Sequence, residues 1–483
     1  MTTSVSTRFV DEFIESHRDH YVKLSDSIWN QAELGYQEWQ SSAAHIAYLN
    51  EAGFTLQEGV AGIPTAFVAE AGSGGPVIGI LGEFDALSGL SQQSMATSCQ
   101  PSSEITNGNG HGCGHHLLGT SAHYAAVAVH QYLKAHGLPG TVRFYGCPAE
   151  EGGYGKTYMA RAGLFDDLDA ALTWHPGVFN GVMNIEALAV KQAYFRFTGV
   201  SAHAGASPHL GRSALDALEL MNVGVNFLRE HMLPDARVHY AITDAGGVAP
   251  NVVQPRAEAL YMVRAPHNHQ VQELYERVCA IAEGAALMTG CQVEVEVHSA
   301  CSNIVLNTVL NQLMHEKLSE LGAPRYEANE LDFAASIHKT LRKDEVEMAG
   351  RMLTAAWRNP KPLFDGVEPL DSTRPQRMHG STDVGDVSWV TPTAQCMTAC
   401  FTFGSSPHSW QWVSQGKSPI AHKGMLLAAK TIAATALELF VRPELLTLAR
   451  EELVERIDGK SYECPIPAEV QPPLPQADVA LAA

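Results

Sequence analysis

The sequence predicts an α/β protein, a mixed, largely parallel sheet with flanking helices, carrying a smaller inserted α+β unit. Three observations predict it. Strand-like and helix-like stretches alternate between residues 76 and 174. The strand candidates there run into acidic or imidazole side chains, as in parallel sheets that gather their chemistry at the carboxyl edge. From about Leu188 the pattern changes to alternating strands and an amphipathic helix, and it changes back near residue 302.

The elements follow in order. Residues 76–82 (PVIGILG) are a short apolar run ahead of Glu83 and Asp85. Residues 117–134 have a helical pattern, closed by Gly137, Pro139 and Gly140. Residues 141–145 read as a second strand, leading to Glu150 and Glu151. A helix-like run around 158–165 precedes a third strand at 170–174, which ends at His175; Pro176 holds that histidine in an extended conformation. In the inserted part, 190–199, 257–264 and 291–298 read as strands and 213–232 as an amphipathic helix. Helical and mixed pattern then returns, ending in a helix at 421–440. Residues 464–483, with five prolines, read as an extended or loose tail.

Composition narrows the function classes. At 483 residues the chain has room for two to four domains, and 45% hydrophobic with 17% charged residues describes a folded protein. The formal charge of −20 argues against a nucleic-acid partner. Asp11, Glu12 and Glu15 interrupt the N-terminal apolar residues, so no secretory leader is expected. No apolar run of membrane-spanning length is read, since His, Lys or Glu breaks the most apolar helices. Nine cysteines without disulfide-framework spacing point to the reducing cytoplasm.

Residues 108–116 (GNGHGCGHH) gather Cys113, His111, His115 and His116 among four glycines. Thiolate and imidazole suit zinc and its neighbours, and glycine lets Cys113 and His115 converge on one point. A glycine turn that merely contains histidines has the same pattern. In CPAEEGG (147–153), Glu150 and Glu151 sit side by side; in extended backbone they point to opposite sides, so one can bind metal while the other faces a water. A solvated acidic turn is the alternative. Of two late histidines, His408 in a polar turn is the better ligand candidate, whereas His422 begins an apolar helix.

Eight stretches occur in one order: GEFDAL (82–87), GHGCGHH (110–116), CPAEEGG (147–153), TWHPG (173–177), SAHAGASPH (201–209), APNVV (249–253), GSTDVGDVS (380–388) and PHSW (407–410). In that order they resemble the amidohydrolase branch of the dinuclear aminoacylase and carboxypeptidase metallopeptidases. The resemblance implies two divalent ions, Mn or Zn, with Cys113 bridging them as a thiolate. Glu151 and His408 would complete one coordination sphere, His115 and His175 the other. It implies Glu150 as general base and Asp85 as the carboxylate that orients a ligand imidazole. His203 would stabilise the oxyanion in a neighbouring subunit's site, and Asn251 and Arg264 would face the substrate's carboxylate. A loop cap for His203 and a sheet-surface salt bridge for Arg264 remain open.

The organisation implied is a catalytic domain from 1–188 and 303–460, a lid and dimerisation domain at 189–302, and a tail at 461–483. The activity implied is hydrolysis of an N-acyl amino acid, with p-aminobenzoyl-glutamate foremost and other N-acyl or indole-acyl conjugates as the alternative. A non-catalytic metal-binding subunit is the reading from another class. The chain is expected as a homodimer or as a heteromer with a homologous subunit. One departure stands out: the branch usually has Asp after the Gly-His that follows the bridging cysteine, and this chain has His116. A histidine also occupies the position of Glu83 in related branches.

Overall fold

Seven strands make the larger sheet: β1 (Thr55–Glu58), β2 (Phe67–Ser73), β3 (Val77–Glu83), β4 (Gly140–Cys147), β5 (Ala170–Gly177), β6 (Gly181–Val182) and, from far along the chain, β13 (Thr393–Ala399). Their spatial order is β1-β2-β4-β3-β5-β13-β6. The inner strands β4, β3, β5 and β13 run parallel, and β1, β2 and β6 add antiparallel edges. Helices cover both faces of the inner strands, which is why β3 and β5 read as near-continuous apolar runs. The computed structural model describes residues 5–353 and 361–475.

Successive β3 side chains feed opposite layers. Ile78 and Ile80 pack beneath the helix His115–His136, while Leu81 packs with Tyr145, Tyr158 and Met159 on the other face. Gly137, in the left-handed region at φ 61°, ends the His115–His136 helix. The helix Pro419–Val441 packs along it, and His422, Lys423, Lys430 and Glu438 interrupt its apolar sequence as expected. Its length and a mean hydropathy of 1.6 suffice to cross a membrane, yet it is largely buried in the core.

Four antiparallel strands form the second sheet: β8 (Ala189–Thr198), β9 (Arg237–Asp244), β10 (Arg256–Ala265) and β11 (Gln292–Cys301), in the order β11-β8-β10-β9. Helices Ala214–Leu228 and Asn268–Thr289 pack on it around a separate apolar cluster that includes Phe195, Met221, Tyr261 and Val278. Where the chain enters this unit, β7 (Ile185–Ala187) pairs in parallel with β12 (Gln376–Met378).

The tail is extended, as expected, but not loose over 464–475. Arg161 Nη1 donates to the carbonyls of Pro467 and Val470 at 3.0 and 2.9 Å, and Ile466 is buried. Prolines leave few backbone donors, so the segment is fixed through its carbonyls. Residues 476–483 lie outside the described residues.

Candidate metal centre

The carboxyl ends of three parallel strands bring the chemistry together. Glu83 ends β3 opposite Cys147 of β4, and the β3–β5 register, with Ile80 beside Leu172, extends to bring Glu83 level with His175. Asp85 follows two residues after β3. The loop 108–114 crosses this edge and turns into a helix at His115, with Gly114 at φ 81°. Glycine is needed at 110 for close approach, since a Cβ there would lie 2.2 Å from the Leu90 carbonyl oxygen; at 112 a Cβ would displace only the end of the Leu90 side chain. The His408 backbone N–H donates to the Gly112 carbonyl at 2.8 Å, which ties the C-terminal histidine to the cysteine loop. His408 sits in the left-handed region at φ 59°, a strained conformation for a side chain of its size.

Two triplets of donor atoms result, each with members within 4.8 Å of one another: Cys113, His115 and His175, and Cys113, Glu151 and His408. Cys113 belongs to both. Its Sγ is 3.4 Å from His175 Nε2, and His408 Nε2 is 3.2 Å from Glu151 Oε1. The outer nitrogens of two imidazoles are already engaged. His115 Nδ1 donates to Asp85 Oδ1 at 2.8 Å, and His175 Nδ1 donates to the Pro176 carbonyl at 2.7 Å. That fixes the tautomers and turns both Nε2 lone pairs inward. Asp85 also accepts the Glu151 backbone N–H on Oδ2 at 2.9 Å, so one carboxylate steadies two residues of the cluster.

The cluster suits divalent cations. His115 Nε2 and Glu151 Oε1 are buried with no well-aligned hydrogen bond, their nearest polar neighbours being Glu83 Oε2 at 3.3 Å and His408 Nε2 at 3.2 Å, and both belong to the triplets. Positive charge is scarce. Among the described residues, Lys156 is the one lysine or arginine in ion-pair contact with Glu83, Asp85, Glu150 or Glu151. Burial and the nearby Glu151 push the Cys113 thiol up, and burial, Glu83 and Glu151 push the Glu150 carboxyl well above the usual range. Burial opposes a charge on His115, but Cys113 and Asp85 outweigh it and raise its pKa. Bound cations reverse these penalties, since metal binding and ligand deprotonation are linked.

Glu150 and Glu151 diverge as expected but for a different reason. They lie in a turn, where Gly152 N–H donates to the Glu150 carbonyl at 2.7 Å, and Ala149 before them has φ 57°. The turn replaces the extended backbone. Glu150 thereby groups with Glu83 and His115, while Glu151 joins Cys113 and His408. Glu38, fully buried, accepts the Ala149 N–H at 2.8 Å and the Thr65 hydroxyl at 2.9 Å, bracing this turn from beneath.

Residues of the inserted unit are placed differently. His203 and Asn251 are exposed, and among the described residues no hydrogen bond or ion pair links either to the ligand cluster. His203 Nδ1 accepts the N–H groups of Gly205 and Ala206, so it caps its own loop. Arg264 is half-buried and donates to Ser381 Oγ at 2.9 Å and to Met262 Sδ. Among the described residues it has no carboxylate partner, so the sheet-surface salt bridge does not form. His111 and His116 are buried beside the cluster, and each donates from Nε2 to a carbonyl, of Ile28 and Gly416. His422 instead reaches Asp26 at 2.9 Å.

Sequence reasoning gave no role to Lys156 or Asp383 and missed Glu38. For Asp383 the signal was the aspartate of GSTDVGDVS and for Glu38 an acid ahead of a helix; Gly155-Lys156 carries no local sign of burial.

Residues 80–410 match the model of peptidase family M20/M25/M40, and the chain belongs to that family, a family of metal-dependent hydrolases acting on amide bonds. More particularly, it is 50% identical to the B subunit of p-aminobenzoyl-glutamate hydrolase from Escherichia coli, over 96% of this chain and 98% of that protein. It is 29% identical to the A subunit of the same E. coli hydrolase, over 58% of this chain and 63% of that protein. Among solved structures, an aminobenzoyl-glutamate utilization protein from Klebsiella pneumoniae shares the fold with a TM-score of 0.58 at 18% identity, covering 89% of this chain and 98% of that one.

Proposed function

We propose that this chain hydrolyses the amide bond of p-aminobenzoyl-glutamate to p-aminobenzoate and glutamate at a centre of two divalent ions, Mn or Zn. The observation that carries the reading is the pair of donor triplets sharing Cys113, with Glu150 beside them. The similarity to the E. coli hydrolase supports the choice of substrate. Intact Glu150 favours an enzyme over a metal-storage subunit, because storage needs no general base.

Cys113, His115 and His175 would hold one ion, and Cys113, Glu151 and His408 the other. Bound there, the ions supply the positive charge that acidifies water and polarises the amide carbonyl. Glu150 takes the proton from the attacking water as its oxygen adds to the aroyl carbon. The same carboxyl then gives that proton to the glutamate nitrogen as the C–N bond breaks. Burial and the neighbouring carboxylates favour the protonated Glu150 that returns the proton, and the charge of bound ions would favour the carboxylate that first takes it. Asp85 holds His115 in the ligand tautomer. Arg264, with no carboxylate partner among the described residues, grips a carboxylate of the substrate.

His203 completes the site of a neighbouring subunit, in a homodimer or in a heteromer with an A-type subunit, and Asn251 faces the substrate's carboxylate. Their exposure supports this. So does the inserted unit's surface, where Leu220, Val223 and Phe227 form an exposed stripe on one helix and Tyr240 and Ile242 are exposed on the edge strand β9. The cytoplasm suits its nine free thiols. The test is p-aminobenzoate release by purified protein loaded with Mn or Zn. Glu150→Ala is expected to abolish release while the ions stay bound; full activity in that variant would refute the mechanism.

A further inference from the structure

Behind the ligand cluster lies a charged group that the proposed chemistry does not use. Lys156 is fully buried in the first turn of the helix Gly155–Arg161, with Nζ 2.7 Å from Glu83 Oε1 and 2.5 Å from Asp383 Oδ1. Asp383 Oδ2 also accepts the Lys156 backbone N–H at 2.8 Å, so one aspartate grips this lysine at both ends. Three residues on, Asp386 accepts hydroxyl bonds from Thr157, Ser302 and Tyr462. The 380–388 stretch therefore anchors the start of that helix through two buried aspartates.

The ammonium acts on a residue at the edge of the metal centre. With Oε1 held by Lys156, Glu83 has Oε2 3.3 Å from His115 Nε2. Glu83, His115 and Glu150 also offer donor atoms within 4.8 Å of one another, a third triplet with the spacing of a metal site. Its chemistry differs from that of the other two. It contains no thiolate, and one of its carboxylates already carries a charge-assisted bond to a buried cation. With Oε1 committed to that cation, Glu83 has only Oε2 to offer an ion, and the ammonium draws its charge away from the site.

We propose that Lys156 is a positioning residue that acts through Glu83: it takes the place of a cation on this side of the site and keeps Glu83 out of metal coordination. The inference rests on the dinuclear reading above. The ions then draw on the two Cys113 triplets alone, and Glu150 keeps its carboxylate free for water. It also accounts for an acid at position 83, since the lysine and Asp383 balance the charge that Glu83 brings.

The test is release of bound Mn or Zn from the full-length chain to a coloured chelator, with ions per chain counted beforehand. Glu83→Gln is expected to retain two ions and to release them within about threefold of the wild-type rate. Lys156→Met frees Glu83 to coordinate, so release is expected to slow by roughly tenfold, the scale on which outer partners alter metal affinity. Adding Glu83→Gln to Lys156→Met is expected to restore the wild-type rate. A merely structural lysine would give faster release on its removal and no restoration. Loss of an ion in Glu83→Gln overturns the proposal, because Glu83 would then be a ligand; that result stands even where Lys156→Met does not fold. Unchanged or faster release in Lys156→Met, with the same rate in the double variant, also overturns it. A wild-type chain that binds no ions refutes the dinuclear reading itself, before any variant is compared.

Discussion

Asp85→Asn removes one negative charge from the site with almost no change in volume. Asp85 accepts two bonds, from His115 Nδ1 at 2.8 Å and from the Glu151 backbone N–H at 2.9 Å. An asparagine has one acceptor oxygen for these two donors. If its NH2 faces His115, the imidazole must move its proton to Nε2, the atom needed for metal. If its NH2 faces Glu151, a backbone N–H loses its partner beside a ligand carboxylate. A hydrogen bond to a charged group contributes about 1.5–3 kcal/mol, so either outcome costs roughly 10–100-fold in metal affinity. The assay is competition with a chelator of known affinity, alongside a thermal melt of the metal-free protein to verify folding. Affinity within twofold of wild type in a folded variant would refute the claim that Asp85 orients His115.

Three other outcomes follow from the same geometry. Arg264→Met should raise KM for the glutamate conjugate by about 10–100-fold with a smaller change in kcat, because a charge-assisted grip on a carboxylate is lost; steady-state kinetics check this, and an unchanged KM would remove Arg264 from the substrate site. Acid should destabilise the protein below about pH 6.5. His45 and His123 are buried with Nδ1 atoms 3.1 Å apart, and burial lowers both, His45 to about 3. The unfolded chain then binds more protons than the folded one between pH 6.5 and 3, so stability falls as pH falls, by about 2 kcal/mol at pH 5 from His45 alone. Melting midpoints of wild type and His45→Gln across pH 5–7.5 test it, and parallel curves would refute it. Phe227→Glu, on the exposed helical stripe, should yield monomers and lose activity together if His203 works across a subunit boundary; active monomers by light scattering would refute that arrangement.

Three of the four parallel strands, β3, β4 and β5, were legible as apolar runs leading to Glu83, Glu150 and His175, and the site motifs because the chemistry is concentrated there; β13 leads to no such residue and was not read. Long-range pairing was less legible. Lys156 meets Asp383 across 227 residues, and nothing local in Gly155-Lys156 announces a buried ammonium. The divergence of Glu150 and Glu151 was read from strand alternation, but a turn at Ala149 produces it, and a left-handed alanine has no sequence signature. β9 was passed over although Val238, Tyr240 and Ile242 alternate along it; only Val238 of the three is buried. His116, the departure from the family's pattern, packs against His111 and reaches the Gly416 carbonyl, so it supports the end of the helix Trp410–Gln415 rather than His115.

The central claim is a pair of ions joined at Cys113. Anomalous scattering from crystals grown with Mn or Zn measures it directly. The account predicts two peaks per chain, both within bonding distance of Cys113 Sγ, one beside His115 and His175 and the other beside Glu151 and His408. A single peak, or a peak on Glu83 in place of the cysteine, would contradict it.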